Sequence, residues 1–318
     1  MRSVLLVKTS SMGDVIHNLP VVSDLRRLWP KLIIDWVVEE SFAEIPRLHP
    51  GVRQVIPVAI RRWRKSLGSR NTWQEMAAAR RALQANCYDF VIDTQGLVKS
   101  AVLTRLADGL RCGYTRHVAR EPLAALAYDC RYDIPRTAHA VERNRWLAAA
   151  ACEYPPDQPL RYGLQAPTTL PEWLPGGPLA VLLTATSRDD KLWPEAHWVA
   201  LSELLHARGL HCVLPAGNAR ERERAERLAA QMPAASVAPP SSLTELASVM
   251  QAARCVVGVD TGLTHLAAAL DVPVAAIAVS TDPALTGVHG GPSALNLGGI
   301  GLIPSPDDVM QRLQAWLP

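Results

Sequence analysis

The sequence predicts an α/β protein built from two doubly wound parallel-sheet domains. Three observations carry that prediction. Apolar runs of strand length alternate with helical patterns of roughly ten to fifteen residues, as strands covered on both faces by crossover helices read. The alternation occurs twice, on either side of "CEYPPDQPLRYGLQAPTTLPEWLPGGP" (152–178), a stretch with seven prolines and no sustained periodicity. A length of 318 residues also exceeds what one ordinary core organises.

In the first half the candidate strands are Val4–Val7, Leu32–Val38, Gln54–Val58 and Phe90–Asp93. Thr72 with Glu75 reads as a capping box opening a helix that runs to Asn86. Gln95-Gly96 opens another helix through Leu97, Val98, Val102 and Leu106. The second half continues with strand Leu179–Leu183, helix Glu195–Ala207, strand His211–Leu214 and helix Ala219–Ala230. Helix Leu243–Ala253, strand Cys255–Val259, helix Thr261–Leu270 and strand Val274–Val279 complete the series. The expected domains are 1–155 and 179–318, facing each other across a cleft, with 156–178 as the linker. The last helix, 307–317, is open to packing on either domain. No Gly-x-Gly-x-x-Gly follows a strand and no Gly-x-x-x-x-Gly-Lys-Ser/Thr occurs, which disfavours a dinucleotide oxidoreductase or a P-loop enzyme.

Composition narrows the class further. Hydrophobic residues make up 48% and charged residues 20%, the balance of a globular chain rather than a disordered one. A net charge of +3 is too small for a protein that wraps nucleic acid, so no nucleic-acid partner is expected and any basic site is local. The six cysteines are scattered without a Cys-x-x-Cys pair, which argues against structural zinc and a disulfide framework and fits a reducing cytoplasm. The run Val4–Val7 is too short for a signal peptide, and no stretch reaches the ~18 apolar residues that span a bilayer.

Several segments carry chemistry. "VLLVKTSSMGDVIHNLP" (4–20) is a strand, a polar turn and a helix, the setting in which α/β proteins bind ligands. Such turns often receive phosphate on free helix N–H groups, yet Asp14 would repel one. In "VVGVDTGLTHLAAAL" (256–270) a strand gives way to a helix at Thr261 or Gly262. Gly262 permits close approach, and free N–H groups with the Thr261 hydroxyl make a pyrophosphate seat. His265 lies one turn in, within reach of a phosphate or a sugar; the plainer alternative has Asp260 capping the helix and His265 buried as a hydrogen-bonder. "TATSRDDKLWPEAHW" (184–198) adds the hydroxyls of Thr186 and Ser187 and the point charge of Lys191. Its Asp189-Asp190 pair lacks the Asp-x-Asp spacing of a metal site and reads as salt-bridged surface. In "LPAGNARERERAERL" (214–228) Glu221 is placed to take ribose hydroxyls, while the remaining Glu/Arg alternation reads as a solvated face. "AIRRWRKSLGSR" (59–70) gathers Arg61, Arg62, Arg64, Lys65 and Arg70 around Trp63 with no acid among them, which fits a polyanionic partner such as a phosphorylated lipid head group. "AREPLAALAYDCRY" (119–132) reads as a Pro-initiated amphipathic helix flanked by Arg120 and Arg131, packed or lying on a membrane surface.

"VKTSSMGDVIHNLP", "DWVVEE", "VIPVAIRRWRK", "VIDTQGLVKSA", "AREPLA", "HAVERNR", "TSRDDKLWPE" and "VDTGLTHLAAALDVP", in this order along nearly the whole chain, resemble the lipopolysaccharide heptosyltransferases of glycosyltransferase family 9. The "AIRRWRK" and "AREPLA" segments resemble the type I branch in particular. The resemblance implies a GT-B fold of two Rossmann-like domains, with the donor in the C-terminal domain and the acceptor in the N-terminal one. It implies inverting transfer of L-glycero-D-manno-heptose from ADP-L-glycero-beta-D-manno-heptose to the first Kdo of Kdo2-lipid A. The setting would be the cytoplasmic face of the inner membrane, with a peripheral monomer and neither a cofactor nor a metal. Matched residue by residue, Asp14 corresponds to the catalytic base. Thr186, Ser187, Lys191, Glu221, Asp260, Thr261, Gly262 and His265 correspond to donor-binding positions. Arg61, Arg62, Arg64, Lys65, Arg120, His139 and Arg143 fall in the acceptor region.

Inversion needs a base on the acceptor hydroxyl and a fixed positive surround for the departing diphosphate. Two domains keep those demands apart, which gives Asp14 a reason to sit in a turn that receives an acceptor rather than a phosphate. Three rivals differ by experiment. A type II heptosyltransferase would use a heptose acceptor, a GT-B nucleotide-sugar epimerase would turn over donor alone, and a nucleotide-sugar sensor would bind without turnover.

Overall fold

The computed structural model describes residues 1–317. The chain forms two compact units, Met1–Leu164 and Gln165–Pro318, each with its own six-stranded parallel sheet. In the first unit the strands are β1 (Ser3–Val7), β2 (Ile33–Glu39), β3 (Gln54–Val58), β4 (Cys87–Asp93), β5 (Asp108–Tyr114) and β6 (Cys130–Tyr132), in the order β3-β2-β1-β4-β5-β6. In the second they are β7 (Leu179–Leu183), β8 (His211–Leu214), β9 (Ala235–Val237), β10 (Cys255–Val259), β11 (Val274–Ala278) and β12 (Ala294–Gly298), in the order β12-β11-β10-β7-β8-β9. Counted within each unit, both orders are the doubly wound 3-2-1-4-5-6. Its strand order reverses beside the first strand, where ligands bind at the carboxyl ends.

The central strands are apolar because both faces are covered. Val4, Leu5, Leu6 and Val7 are all inaccessible to solvent, and every residue of β7, β10 and β11 is buried. In the second unit Trp193 and Trp198 meet edge to face with ring centroids 4.9 Å apart in the core under β7 and β10. Val309, Met310 and Leu313 of helix Pro306–Leu313 enter that same core, so the last helix packs within the second unit.

Three local expectations change. The helix after the basic segment is Arg70–Gln84, opened at Ser69, so Thr72 lies inside it and hydrogen-bonds Ser66 Oγ at 2.9 Å. Glu75 turns back to Trp63 Nε1 at 2.7 Å and to Arg62 instead of capping. The segment 119–132 is not one amphipathic α-helix: it forms a 3-10 helix, Pro122–Ala127, and then strand β6. Pairing of Cys130, Arg131 and Tyr132 with β5 takes the backbone donors that a longer helix would have used. The helix after Gln95-Gly96 begins only at Val98, because Gly96 adopts φ +68° and turns the chain.

The proline-rich stretch has no helix or strand between Cys152 and Leu179. Its first part is held to the first unit, with the Gln158 carbonyl accepting from Arg145 and Gly163 lying against His49 and Ser23. Among the described residues no helix is long and apolar enough to cross a membrane.

Candidate active site

In the first unit Asp14 and Arg120 meet where β1 and β4 end side by side, whereas Arg61, Arg62, Arg64 and Lys65 lie after β3. After Val7 the chain runs through Lys8, Thr9 and Ser10 to helix Met12–Ile16. Gln95, just past β4, holds this turn: its Oε1 accepts from Thr9 N at 2.8 Å and Ser10 N at 3.1 Å, while Nε2 donates to the Ser10 carbonyl. Gln95 is itself fixed by Asp93, whose Oδ1 accepts from the amides of Gln95 (2.8 Å) and Gly96 (3.1 Å) and whose Oδ2 accepts from Tyr128 Oη at 2.8 Å. These polar groups are buried and satisfied, the condition for a rigid turn.

Asp14 sits on that turn with 13% of its side chain exposed. Its Oδ2 accepts from the Ser11 amide at 3.0 Å, closing a capping box, and Arg120 donates to Oδ1 at 2.7 Å. Burial pushes the carboxyl up, but Lys8, Arg120 and the Ser11 amide outweigh it and hold Asp14 below the usual carboxylate range. Asp14 is therefore ionised at neutral pH. Lys8 is buried beneath, donating to the Thr94 carbonyl at 2.8 Å and Asn144 Oδ1 at 3.2 Å. Burial lowers its ammonium to about 8 against the pull of Asp14.

The other acceptor-region residues divide. Arg120 and Arg143 share the electrostatic surroundings of Lys8 with Asp14. Arg143 lies over the Tyr114 ring at 5.1 Å and donates to the Val118 carbonyl. His139 caps helix Ala140–Cys152, its Nδ1 accepting from Val141 N at 3.2 Å, with its ring edge-on to His17. Arg61 stacks over Phe42 at 5.6 Å. Arg62 is held in the fold by Glu40 and Glu75, each at 2.9 Å, so the acids missing from the segment itself come from neighbouring elements. Arg64 and Lys65 are exposed.

Sequence reasoning missed Lys8, Gln95 and Lys99, whose Nζ donates to Ser10 Oγ at 2.7 Å. The usable signal for Lys8 and Gln95 was their position just after strands β1 and β4, where polar side chains have no packing reason to interrupt an apolar pattern; Lys99, inside the helix Val98–Leu106, carried no such signal.

In the second unit the corresponding point lies between β7 and β10. Helix Gly262–Ala269 begins at Thr261, and its first intrahelical bonds run from Thr264 N and His265 N to the Thr261 carbonyl. The amides of Gly262 and Leu263 precede them and point out of the helix start. Gly258 lets the helix lie close on β10, for a Cβ there would collide with Thr264 Oγ1, which donates to the Val259 carbonyl at 2.7 Å.

Asp260 does not cap this helix. Its Oδ2 accepts from Lys191 Nζ at 2.7 Å and Thr281 Oγ1 at 3.1 Å, and its Oδ1 lies 3.6 Å from His265 Nε2. Burial pushes the carboxyl up, but His265 and Lys191 dominate and hold Asp260 well below the usual range. Lys191 is thus tethered at the helix start rather than mobile. Thr186 Oγ1 ties the loop after β7 to the Asp260 carbonyl at 3.0 Å. Thr281 completes the cluster from the loop after β11, and the sequence reading did not include it.

Thr186, Ser187 and Glu221 line a cavity of about 330 Å³ beside this cluster. Glu221 is positioned by the Gly217 amide at 2.8 Å and Asn218 Nδ2 at 2.7 Å. Asp189 and Asp190 diverge to Arg220 and Arg188, as expected of salt-bridged surface. Among the described residues no group of three or more His, Cys, Asp or Glu is placed to hold a metal ion. Arg224, within the charge-rich helix, is only 15% exposed and ties that helix to Glu195 at 2.7 Å and to the Thr184 carbonyl.

Chemically, one unit presents an ionised carboxylate in a cationic surround, and the other presents helix amides, a tethered ammonium and hydroxyls. Known proteins share both arrangement and sequence. The family model for glycosyltransferase family 9 (heptosyltransferase) matches residues 76–312. Lipopolysaccharide heptosyltransferase 1 of Escherichia coli (strain K12) is 50% identical over 293 residues, 90% of this chain and 91% of that protein. The solved structure of E. coli heptosyltransferase WaaC with ADP superposes with a TM-score of 0.91 at 46% identity, covering 98% of this chain and 99% of that one. The same enzyme with ADP-2-deoxy-2-fluoro heptose gives a TM-score of 0.87 at 45% identity, covering 98% of this chain and 99% of that one. The chain belongs to glycosyltransferase family 9, the heptosyltransferases.

Proposed function

We propose that this chain moves L-glycero-D-manno-heptose with inversion from ADP-heptose to the first Kdo of Kdo2-lipid A, with Asp14 as the general base. Heptosyl transfer in lipopolysaccharide core synthesis is the activity its family membership and 50% identity over 90% of the chain support. The proposal extends to a monomer lying peripherally on the cytoplasmic face of the inner membrane, organised as acceptor and donor domains joined through the proline-rich stretch.

The observation that carries the reading is Asp14, ionised and firmly oriented beside Lys8 and Arg120, at the strand-order reversal of its unit. A base must be charged to accept a proton and held within hydrogen-bond reach of the hydroxyl that gives it up. As the acceptor oxygen bonds to the anomeric carbon, its proton passes to Asp14. The bond from that carbon to the diphosphate oxygen breaks, and the electron pair leaves with ADP.

Negative charge then grows on the diphosphate. The amides of Gly262 and Leu263 and the Lys191 ammonium, fixed by Asp260, are arranged to stabilise it without reorganising. Thr186, Ser187, Thr261 and His265 supply donors to phosphate or sugar oxygens, and Glu221 takes the ribose hydroxyls. Arg61, Arg64, Lys65, Arg120, His139 and Arg143 receive the anionic acceptor; Arg62 supports that segment through its two acids.

The test is Asp14→Asn. It is expected to lower kcat by about 10²-fold or more, the usual range for losing a general base, while ADP affinity stays unchanged. Near-normal turnover would show that Asp14 only closes its capping box, a role worth ~1 kcal/mol of stability. Kdo2-lipid A with and without a first heptose separates the type I reading from type II, and donor consumed without acceptor would favour the epimerase.

A further inference from the structure

The 3-10 helix Pro122–Ala127 exposes two leucines, Leu123 at 65% and Leu126 at 79%, while Ala124 and Ala125 between them are buried against Ala101 and Tyr128. Neighbouring helix Val98–Leu106 adds Val98 at 41% and Val102 at 54%. The two elements are joined, for the Val98 amide donates to Glu121 Oε2 at 2.6 Å and Ala101 packs on Ala124 and Ala125. Four apolar side chains are thus presented to water by adjoining elements, while Ala101, Leu103, Ala124 and Ala125 of the same elements are buried. Scattered exposed apolar residues need no explanation, but a contiguous group does.

The rim is basic. Arg105 stands one turn beyond Val102 on the same helical face and is exposed. Arg131 donates to the Ala125 carbonyl at 2.7 Å from the other side, and Arg120, separated from the 3-10 helix by Glu121, reaches Asp14. Lys99 of the same helix bonds Ser10, on the turn that carries Asp14. Exposed apolar side chains flanked by more arginines than acids are the chemistry of a surface lying on an anionic bilayer, with the alkyl groups in the head-group region and the cations on phosphates.

We infer that the Leu123, Leu126, Val98 and Val102 patch is the surface by which this chain rests on an anionic lipid bilayer, holding the Asp14 turn at the membrane. The inference rests on the reading that the acceptor is a lipid-linked sugar, whose acyl chains stay in the bilayer while its sugar reaches Asp14. One short stretch of chain serves both ends: Arg120 meets Asp14, and three residues later Leu123 of the 3-10 helix meets the membrane.

The test is the full-length Leu123→Ser/Leu126→Ser double variant. Both leucines are exposed, so the fold is expected to persist, with wild-type circular dichroism and melting temperature. Wild type should co-sediment with vesicles of phosphatidylethanolamine and phosphatidylglycerol but only weakly with pure phosphatidylcholine. The double variant should lose at least about tenfold of the anionic binding, as two leucines no longer bury. On a delipidated Kdo disaccharide acceptor its kcat/KM should equal wild type, and on acceptor embedded in anionic vesicles it should fall several-fold. Equal sedimentation of variant and wild type would overturn the inference. So would a leucine-dependent self-association in sedimentation velocity without vesicle binding, which would make the patch a contact between copies. Should wild type transfer heptose to neither acceptor, the functional reading fails while the vesicle measurements still decide the surface.

Discussion

Asp14 shows how one side chain satisfies local structure and chemistry together. Its hydrogen bond to Ser11 fixes the carboxylate in the first turn of a short helix, and the two cations beside it keep it ionised. A capping role and a basic role therefore coexist, since a carboxylate has acceptor positions for both. Arg120 is the adjustable part. Replacing it with Met removes a donor and a charge from Asp14, so the Asp14 carboxyl should rise toward the ordinary range. The acid limb of kcat/KM, which reports the free enzyme, is expected to move to higher pH in Arg120→Met. An unmoved acid limb would mean that Asp14 is not the group being titrated.

At the scale of elements, the start of helix Gly262–Ala269 acts only as part of a cluster. Amides alone offer partial charge, and Lys191 supplies a full one. Asp260 holds that ammonium at 2.7 Å on Oδ2, which also accepts from Thr281 Oγ1 at 3.1 Å, while His265 Nε2 lies 3.6 Å from Oδ1. Lys191→Ala is expected to weaken ADP binding by about tenfold or more, as loss of a charge-assisted hydrogen bond would. Titration calorimetry checks it, and an unchanged Kd would remove Lys191 from the donor site. The same scale explains which elements were legible. β1, β7, β10 and β11 are continuous apolar runs because they are central and buried on both faces, whereas β5, β6, β9 and β12 are mixed. Of these, β6, β9 and β12 are edge strands and β5 lies next to an edge, where pairing partners and not composition make the strand.

For the molecule as a whole, the return of the proline-rich stretch to the first unit depends on a buried neutral histidine. His49 Nδ1 accepts from the Gly51 amide at 2.9 Å and Nε2 pairs with Ser23 Oγ at 3.0 Å, with Gly163 against the ring. Burial lowers its pKa from 6.5 to about 4. The unfolded chain therefore binds this proton first as pH falls, so the stabilisation is complete above 6.5 and is lost progressively down to about 4. The loss amounts to ~3 kcal/mol across that window. Urea unfolding at neutral and mildly acid pH should show this fall in wild type and a shallower one in His49→Gln. Equal slopes would exclude His49 as the group responsible.

By itself the sequence determined the two-fold alternation of strands and helices, the central strands and the polar turns after them, because burial on both faces and free strand ends leave direct marks on residue type. Through motif resemblance it also pointed to the family. The pairing of Lys191 with Asp260, of Arg120 with Asp14 and of Arg62 with Glu40 and Glu75, together with the exposure of Leu123 and Leu126, was decided only by tertiary structure. Each depends on groups far apart in the chain meeting at a sheet edge or turn, and a side chain's charge partner and solvent exposure are properties of that meeting, not of its own residue type.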